Sequence, residues 1–410
     1  MRVLLVSLVA VFFGVLGLST GVDHYFRLSY LLLLVLLAGW VWTHFSVSGI
    51  TVNLKGSTTS ATVGQKAWVQ FTVFNDNLLP SVWAEVRQEA DLPNPWPPHV
   101  LQIPSDASRT VRVDFECQRR GRFTIGPTHV ASGDPFGLFR RQITLSGTHS
   151  LVVYPRTVDL TGFTLPPADL PGEGRHRRRT HFVTPNASGV REYAYGDSFN
   201  RIHWPSTVRT GKLMVKEFEL DPASETWIVL DLHRDVQVGA SLESTEEYGV
   251  TVAASIAHQY IESNRPIGFM SFGHYLDIHQ PERSGHQLVE IMESLALAMA
   301  EGTAPIAELL AGEARRFGRY STLLVVTSST DEAWVYQLQH LIRRGARVAA
   351  VVIEGSTFGP AMDSLQVVSA LLATGVQTFL VKQGGSISEA LGVSETARSG
   401  AAHERGTTSP

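Results

Sequence analysis

Cysteine is almost absent from this 410-residue chain, with Cys117 standing alone. That excludes an intramolecular disulfide framework and a cysteine-based zinc site, and it fits a reducing compartment. Strong net charge is missing too. The formal value of −4 creates no global field for gathering nucleic acid or an acidic substrate, so an electrostatic partner has to be met by a local patch. No G-x-x-x-x-G-K-[ST] phosphate loop occurs; Gly211-Lys212 lacks both the upstream glycine and the following hydroxyl, which argues against nucleotide hydrolysis. His24, His258 and His340 lie apart from any metal-ligand grouping and read as surface or core residues. What is present is an ordinary globular balance of apolar and charged residues, enough for two or three domains and a sizeable core.

The N-terminus departs from that balance. Residues 3–18 are almost wholly apolar, a polar patch with Asp23, His24 and Arg27 follows, and residues 28–45 are apolar again with Trp40 and Trp42 near the end. This pattern predicts two transmembrane helices over residues 1–46. Each run is near the short end of the roughly 17–25 residues a spanning helix needs, and the tryptophans fall where an aromatic belt would. A cleaved signal peptide followed by a core helix is the alternative; against it, Arg2 is a weak n-region, no A-x-A site follows Leu18, and signal peptides do not come in pairs. Arg2 on one side and Arg27, offset by Asp23, on the other hardly orient the hairpin. A hairpin puts both of its ends on one face.

From residue 47 to 159 the pattern changes to short alternating runs. Residues 67–74, 82–89, 110–116, 121–125 and 151–154 fit half-buried strands, with 75–77, 91–98 and 133–135 as turns, so a β-sandwich is expected. Asn94–Pro98, NPWPP, cannot join a central ladder and reads as an edge or loop. Residues 160–188, rich in proline, glycine and charge and including Arg175-His176-Arg177-Arg178-Arg179, read as the start of a basic connection reaching to 225. The arginine run suits a solvated linker, an anionic-lipid contact or an acidic protein surface. It is short and has few rings beside it, so nucleic acid is not expected.

From 226 to 385 strands and helices alternate. Residues 226–232, 267–272, 320–327, 347–353 and 377–381 are nearly continuous apolar runs, with a small antiparallel extension at 275–278. Between them Val252, Ile256 and Tyr260, then Leu288, Ile291, Met292 and Leu295, then Trp334, Leu338, Leu341 and Ile342 recur at helical spacing. A doubly wound, mainly parallel α/β sheet follows. Residues 386–410 read as a disordered tail.

In such a sheet ligands bind at the carboxyl ends of strands, which draws attention to Asp231, His233 and Asp235 after one strand and to residues 327–331, TSSTD, after another. Asp231, Ser329 and Asp331 are candidate oxygen ligands for a divalent cation such as magnesium. Equally, Asp231 can close a turn, and Asp331 can cap a helix starting at Glu332.

Residues 189–219, GVREYAYGDSFNRIHWPSTVRTGKLMVKEFE, have no simple periodicity and concentrate polar, aromatic and glycine residues. Asp197, His203 and Ser206 are the residue types of a hydrolytic triad, yet nothing places the serine on a strained elbow. Gly196-Asp197 and Thr210-Gly211-Lys212 signal turns, and 213–220 is a strand candidate. Arg191, Asp197, Arg201, His203 and Arg209 could form a hydrogen-bonded clamp on the α/β domain. Partner docking is the companion reading, since a clamped loop is a rigid surface.

The pattern R-E-Y-x-x-G-D-x-x-x-x-I-H-W-x-x-x-x-R-x-G-x-L-x-V-K-E-F-E resembles the signature of the family called domain of unknown function 58. Arg120–Ile125 (RGRFTI) and Gly133–Phe139 (GDPFGLF) resemble its upstream β domain. The signature residues so marked, as candidates for docking, are Arg191, Glu192, Tyr193, Gly196, Asp197, Arg201, Ile202, His203, Trp204, Arg209, Gly211 and Glu217. The resemblance implies a von Willebrand factor A-like domain on the cytoplasmic side of the membrane and a MoxR-type AAA+ ATPase as partner. A transglutaminase-like membrane protein is a second implied associate. It also implies a non-enzymatic adaptor role in envelope-related or protein-maturation processes; a metal-assisted hydrolase at the strand-end loops and an envelope structural protein are the alternatives. Metal-binding domains of that type carry D-x-S-x-S, whereas this chain has Asp231-Leu232-His233-Arg234-Asp235, a departure that puts the metal site in doubt.

Overall fold

Two helices open the chain, separated by Gly21, whose φ of +66° lets the backbone reverse. α1 (Arg2–Thr20) and α2 (Asp23–Ser48) pack through small residues: the Ser29 hydroxyl donates to the Ala10 carbonyl at 2.9 Å, and Gly17 lies against the ring of Phe26. Small side chains let helix backbones approach where apolar packing alone gives no preference. Outward-facing leucines and valines stay exposed along both helices, and both are long and apolar enough to cross a membrane. This computed structural model describes residues 2–160, 162–165, 187–194, 202–218 and 225–392. The chain divides into two compact units, the first built on Met1–Arg156 with Leu295–Leu297 and the second on Thr157–Ser294 with the chain from Ala298.

In the first unit α2 runs through Gly49 directly into β1 (Ile50–Ser57). There follow β2 (Ser60–Thr62), β3 (Lys66–Asn75), β4 (Ser81–Ala90), β5 (His99–Ile103), β6 (Ala107–Glu116), β7 (Gly121–Gly133), β8 (Arg140–Leu145) and β9 (His149–Tyr154). One sheet has the order β1-β3-β6, the other β2-β9-β7-β4-β5 with β8 paired to β7. Their inner faces share a core because strand side chains alternate: Ala67, Val69, Phe71 and Val73 of β3 all point in and are buried. On the ladder between β3 and β6, the hydroxyls of the opposed pair Thr72 and Thr110 bond at 2.9 Å. The expected β-sandwich is therefore present. The proline-rich NPWPP stretch lies in the connection between β4 and β5, with the Trp96 ring tilted against Phe115 at a centroid distance of 4.9 Å. The short or charged strands β1, β2, β5 and β8 add to those read from the sequence.

The second unit begins as a strap laid along the α/β domain. The Val158 N–H donates to the Ser255 hydroxyl at 3.0 Å, the Gln259 amide donates to the Leu160 carbonyl at 3.2 Å, and Phe163 packs on Phe379 at 5.3 Å. Apolar residues spaced through a polar stretch carry no helical or strand period, so the docking is visible only in the fold. The Arg175–Arg179 run lies outside the described residues. Next come β10 (Ala187–Glu192), α3 (Trp204–Thr210) and β11 (Met214–Phe218), in which β10 and β11 form a two-stranded antiparallel sheet.

The α/β sheet comprises β12 (Glu225–Leu230), the two-residue hairpin strands β13 (Gly239–Ala240) and β14 (Glu243–Ser244) beside it, β15 (Ile267–Phe272), β16 (Leu276–Glu282), β17 (Ser321–Thr327), β18 (Arg347–Ile353) and β19 (Gln377–Val381). The main sheet has the order β16-β15-β12-β17-β18-β19, parallel except for β16. Its helices are α4 (Thr245–Glu262), α5 (Gly285–Leu297), α6 (Ile306–Gly312), α7 (Ala333–Arg343), α8 (Leu365–Ala373) and α9 (Ile387–Gly392). α4 starts at Ser244, whose hydroxyl accepts from the Glu247 N–H at 3.2 Å. Alternate strand residues Trp227, Val229, Leu323 and Val325 pack with Ile306, Leu310, Trp334 and Leu338 of α6 and α7. On the opposite face Gly249 of α4 meets Leu230, Val326 and Ile353. Helices thus cover both faces, as the buried strand runs require. One expectation fails at the C-terminus. α9 and buried Leu391 occupy the start of the presumed disordered tail, and the Ser388 hydroxyl donates to the Asp159 carbonyl at 2.6 Å; residues 393–410 lie outside the described residues.

Trp334 is fully buried, and its indole N–H has no hydrogen-bond partner among the described residues. Trp334→Ala is expected to cost about 3–5 kcal/mol. Trp334→Phe, which removes an unpaired donor while keeping most of the volume, is expected to cost less than about 1.5 kcal/mol. Chemical denaturation of the full chain, followed through hydrogen exchange of β17 and β18 amides, checks the pair.

Candidate functional site

In the strand order β16-β15-β12-β17-β18-β19 the chain leaves β12 for α4 on one face, and β17 for α7 on the other. The crevice between the carboxyl ends of β12 and β17 is the topological switch point, where α/β sheets bind ligands. Asp231 sits there at 5% exposure. Its own N–H continues the ladder to the Val326 carbonyl at 2.9 Å.

Both carboxylate oxygens of Asp231 are engaged by the protein. The Thr327 hydroxyl donates to Oδ2 at 2.5 Å, and the His233 N–H donates to Oδ1 at 3.0 Å. The Thr327 Oγ1 in turn accepts from the Ser329 N–H at 2.9 Å. Around this pair the Gln237 amide donates to the Asp231 carbonyl at 2.9 Å, the Thr245 hydroxyl donates to Gln237 Oε1 at 2.7 Å, and the Ser328 hydroxyl donates to the Val236 carbonyl at 2.8 Å. Burial pushes the Asp231 carboxyl above its ordinary range, against the lowering pull of the Thr327 and His233 bonds.

The other strand-end candidates are also turned to the fold. Ser329 Oγ accepts from the Asp331 N–H at 3.3 Å, and Asp331 Oδ1 accepts from the Ala333 N–H at 2.9 Å, from one residue ahead of Glu332, the N-cap of α7. His233 Nε2 lies 3.7 Å from Asp235. A hard cation asks for charged oxygens left open to it. Asp231, buried with both oxygens taken by Thr327 and His233, together with Ser329 and Asp331, which accept bonds from their own loop, does not offer such a set. Among the described residues no group of three or more His, Cys, Asp or Glu side chains could hold a metal ion.

The signature residues form a different kind of surface. The His203 N–H donates to the Met214 carbonyl at 2.8 Å and the Tyr193 N–H to the Leu213 carbonyl at 2.8 Å, which ties α3 and β10 to β11. The Thr207 hydroxyl Oγ1 accepts from the Met214 N–H at 3.0 Å, and Gly211 ends α3 with a φ of +70°. Ile202 is buried, Arg209 and Glu192 are exposed, and Lys212 pairs with Glu192 at 2.7 Å. Glu217 and Arg191 lie on β11 and β10. Gly196, Asp197 and Arg201 lie outside the described residues, and with them the network expected of these residues with Arg191, His203 and Arg209. Of the triad types, His203 Nδ1 and Ser206 Oγ bond at 2.8 Å within the first turn of α3, a local contact one helical turn long.

One cluster was missed in the sequence. His279 of β16 places Nε2 2.7 Å from the Ser294 hydroxyl of α5 and 3.3 Å from Asp277, with Nδ1 3.7 Å from Glu290. The Asp277 bond, helped by Glu290, raises the imidazole above its usual range and lowers Asp277. The signal was the alternation Asp277-Ile278-His279, which puts both polar residues on one strand face. Ser294 lies inside α5, where amide N–H groups are committed to the helix. The cluster therefore clips the antiparallel edge strand to α5.

Comparison with known proteins adds a family. Residues 189–356 match the family described as Protein of unknown function DUF58. The Uncharacterized protein YeaD of Bacillus subtilis (strain 168) is 24% identical over 248 residues, 60% of this chain and 59% of that protein; the chain thus spans about three fifths of the length of this curated relative. Among solved structures, the CARDB domain of the PF1109 protein from Pyrococcus furiosus is 12% identical, covering 25% of this chain and 91% of that one at a TM-score of 0.20. The pilus adhesin SpaC from Lactobacillus rhamnosus GG is 10% identical, covering 44% of this chain and 30% of that one at a TM-score of 0.31.

A carboxyl raised on folding contributes stability at low pH that is lost as pH climbs from the ordinary aspartate value of about 3.9 through the raised one. Asp231→Asn can still accept from His233 and donate to Thr327 Oγ1. The variant is expected to match the parent within about 1 kcal/mol in acid and to exceed it near neutrality. Urea denaturation of both proteins across pH measures the difference; a variant weaker than its parent at neutral pH would show that the charge itself is needed.

Proposed function

We propose, on the match of residues 189–356 to the DUF58 family, that the chain is a membrane-anchored, non-enzymatic adaptor of that family, docking a MoxR-type AAA+ ATPase through α3. The observation that carries this reading is the exposure of Trp204, at 62%, and Val208, at 82%. They lie four residues apart on one helix and so share a face. Leu213, in the turn that follows, is also exposed. An exposed tryptophan on a braced helix is the residue type that dominates binding energy at interfaces, and the bonds from His203, Tyr193 and Thr207 hold the frame in place.

The first two helices are the anchor in this reading. Their exposed faces are apolar, their contact is made by Ala10, Gly17 and Ser29, and the β-sandwich and the α/β domain lie on the cytoplasmic side, where a free Cys117 is stable. A transglutaminase-like membrane protein is a further associate on the same resemblance, and envelope-related or protein-maturation work is the process. The hydrolase alternative loses its support at the switch point, where Asp231 is spent on Thr327 and His233.

Co-purification of the full chain from native membranes tests the proposal. Trp204→Asp or Val208→Asp, both at exposed positions, is expected to leave the circular dichroism unchanged. Recovery of the ATPase should fall by roughly 30-fold, the equivalent of about 2 kcal/mol at a hot spot. If the parent protein never brings a AAA+ ATPase with it, the adaptor reading is wrong.

A further inference from the structure

The opposite edge of the α/β sheet, where the strands begin, carries a concentration of positive charge that neither the switch point nor the signature uses. The loop between α6 and β17 reads Glu313-Ala314-Arg315-Arg316-Phe317-Gly318-Arg319-Tyr320, and the end of α7 leads into β18 through Arg343-Arg344-Gly345-Ala346-Arg347. All six arginines are exposed. The two stretches are neighbours in space: β17 and β18 pair side by side with Thr322 opposite Arg347, and a Cβ on Gly345 would fall 2.5 Å from Cγ of Arg319. They contain a single acid, Glu313, which pairs with Arg316.

Helix chemistry explains part of this. Arg343 and Arg344 stand at the C-terminus of α7, where cations are favoured by the helix dipole. With Arg316 paired to Glu313, that leaves Arg315 and Arg319 as exposed charges that the helix end does not account for. Tyr320, half exposed beside them, adds a ring with a polar tip, a residue type suited to a membrane-water boundary. Further along the same edge Arg265 is accompanied by Glu225 and Glu262, so the positive field is centred on β17 and β18.

We propose that this arginine edge is a docking surface for anionic phospholipid headgroups. Charge complementarity and the arginine fork favour phosphate, which the guanidinium engages through paired N–H donors. The two apolar N-terminal helices favour a lipid surface over a free anion. A domain tethered to the bilayer meets its surface at high effective concentration, so a cluster of this size is enough to hold it there. The inference uses the membrane anchor but is independent of the ATPase and of α3.

Full-length protein reconstituted into nanodiscs supplies the test. Cys117 is buried, so a spin label on Tyr320→Cys reports selectively from this edge. Its relaxation by an agent tethered to the lipid headgroups is expected to be about tenfold faster in discs containing phosphatidylglycerol than in phosphatidylcholine alone, and the gain should vanish in high salt. Arg315→Gln, Arg319→Gln, Arg343→Gln and Arg344→Gln together should abolish the gain without affecting ATPase recovery, which separates this surface from α3. Equal relaxation in the two disc types overturns the proposal. So does a gain that requires an added acidic protein in neutral discs, which would assign the arginines to a protein partner. Because the lipid comparison uses one and the same protein, misfolding of the arginine variant cannot mask the result.

Discussion

The hydrogen bond between Thr327 and Asp231 joins the ends of two parallel strands at the point where the sheet reverses its winding. A carboxyl buried at that position is costly unless donors meet it, and here the fold provides two. Much of the surrounding backbone hangs on the arrangement. The His233 N–H holds one oxygen, Gly302 pairs with Leu232 and Arg234 on the next turn, and Gln237 links Asp231 to Thr245 at the start of α4. Gly302 is confined as well: a Cβ there would meet the carbonyl oxygens of Phe272 and Leu232 at 2.3 and 2.8 Å. The place where an α/β sheet ordinarily offers its ligand site has become a knot of internal bonds.

With its strand-end crevice closed on itself, the second unit turns different parts of its surface outward. The signature segment, braced between β10 and β11, exposes Trp204 and Val208; the opposite end of the sheet exposes arginine. An exposed apolar pair and a basic edge differ in the chemistry they offer to a partner. The β-sandwich of the first unit follows directly from α2, with Gly49 as the one residue between the last helical turn and β1.

The main sheet was legible because buried parallel strands leave continuous apolar runs, and α4, α5 and α7 leave a 3.6-residue spacing. The sandwich was legible for the corresponding reason, with the period of two in β3 clearest of all. Shorter elements were not. α3 reads Trp-Pro-Ser-Thr-Val-Arg-Thr, too brief for a period and with its apolar residues facing out, so the segment looked aperiodic although it is a helix laid beside a two-stranded sheet. The partnership of Asp231 with Thr327 spans 96 positions and depends on strand order. Proximity of the two loops followed from the general rule for α/β sheets; which oxygen would take which donor did not. The His279 cluster needed both the antiparallel return of β16 and the facing side of α5.

The most direct measurement compares Asp231→Asn and Trp204→Asp side by side in the full chain, reading the amount of AAA+ ATPase recovered from native membranes. If the switch point is structural and α3 is the docking face, Asp231→Asn recovers as much ATPase as the parent while Trp204→Asp recovers little. Loss of the ATPase with Asp231→Asn in a protein that remains folded, and its retention with Trp204→Asp, would contradict that division.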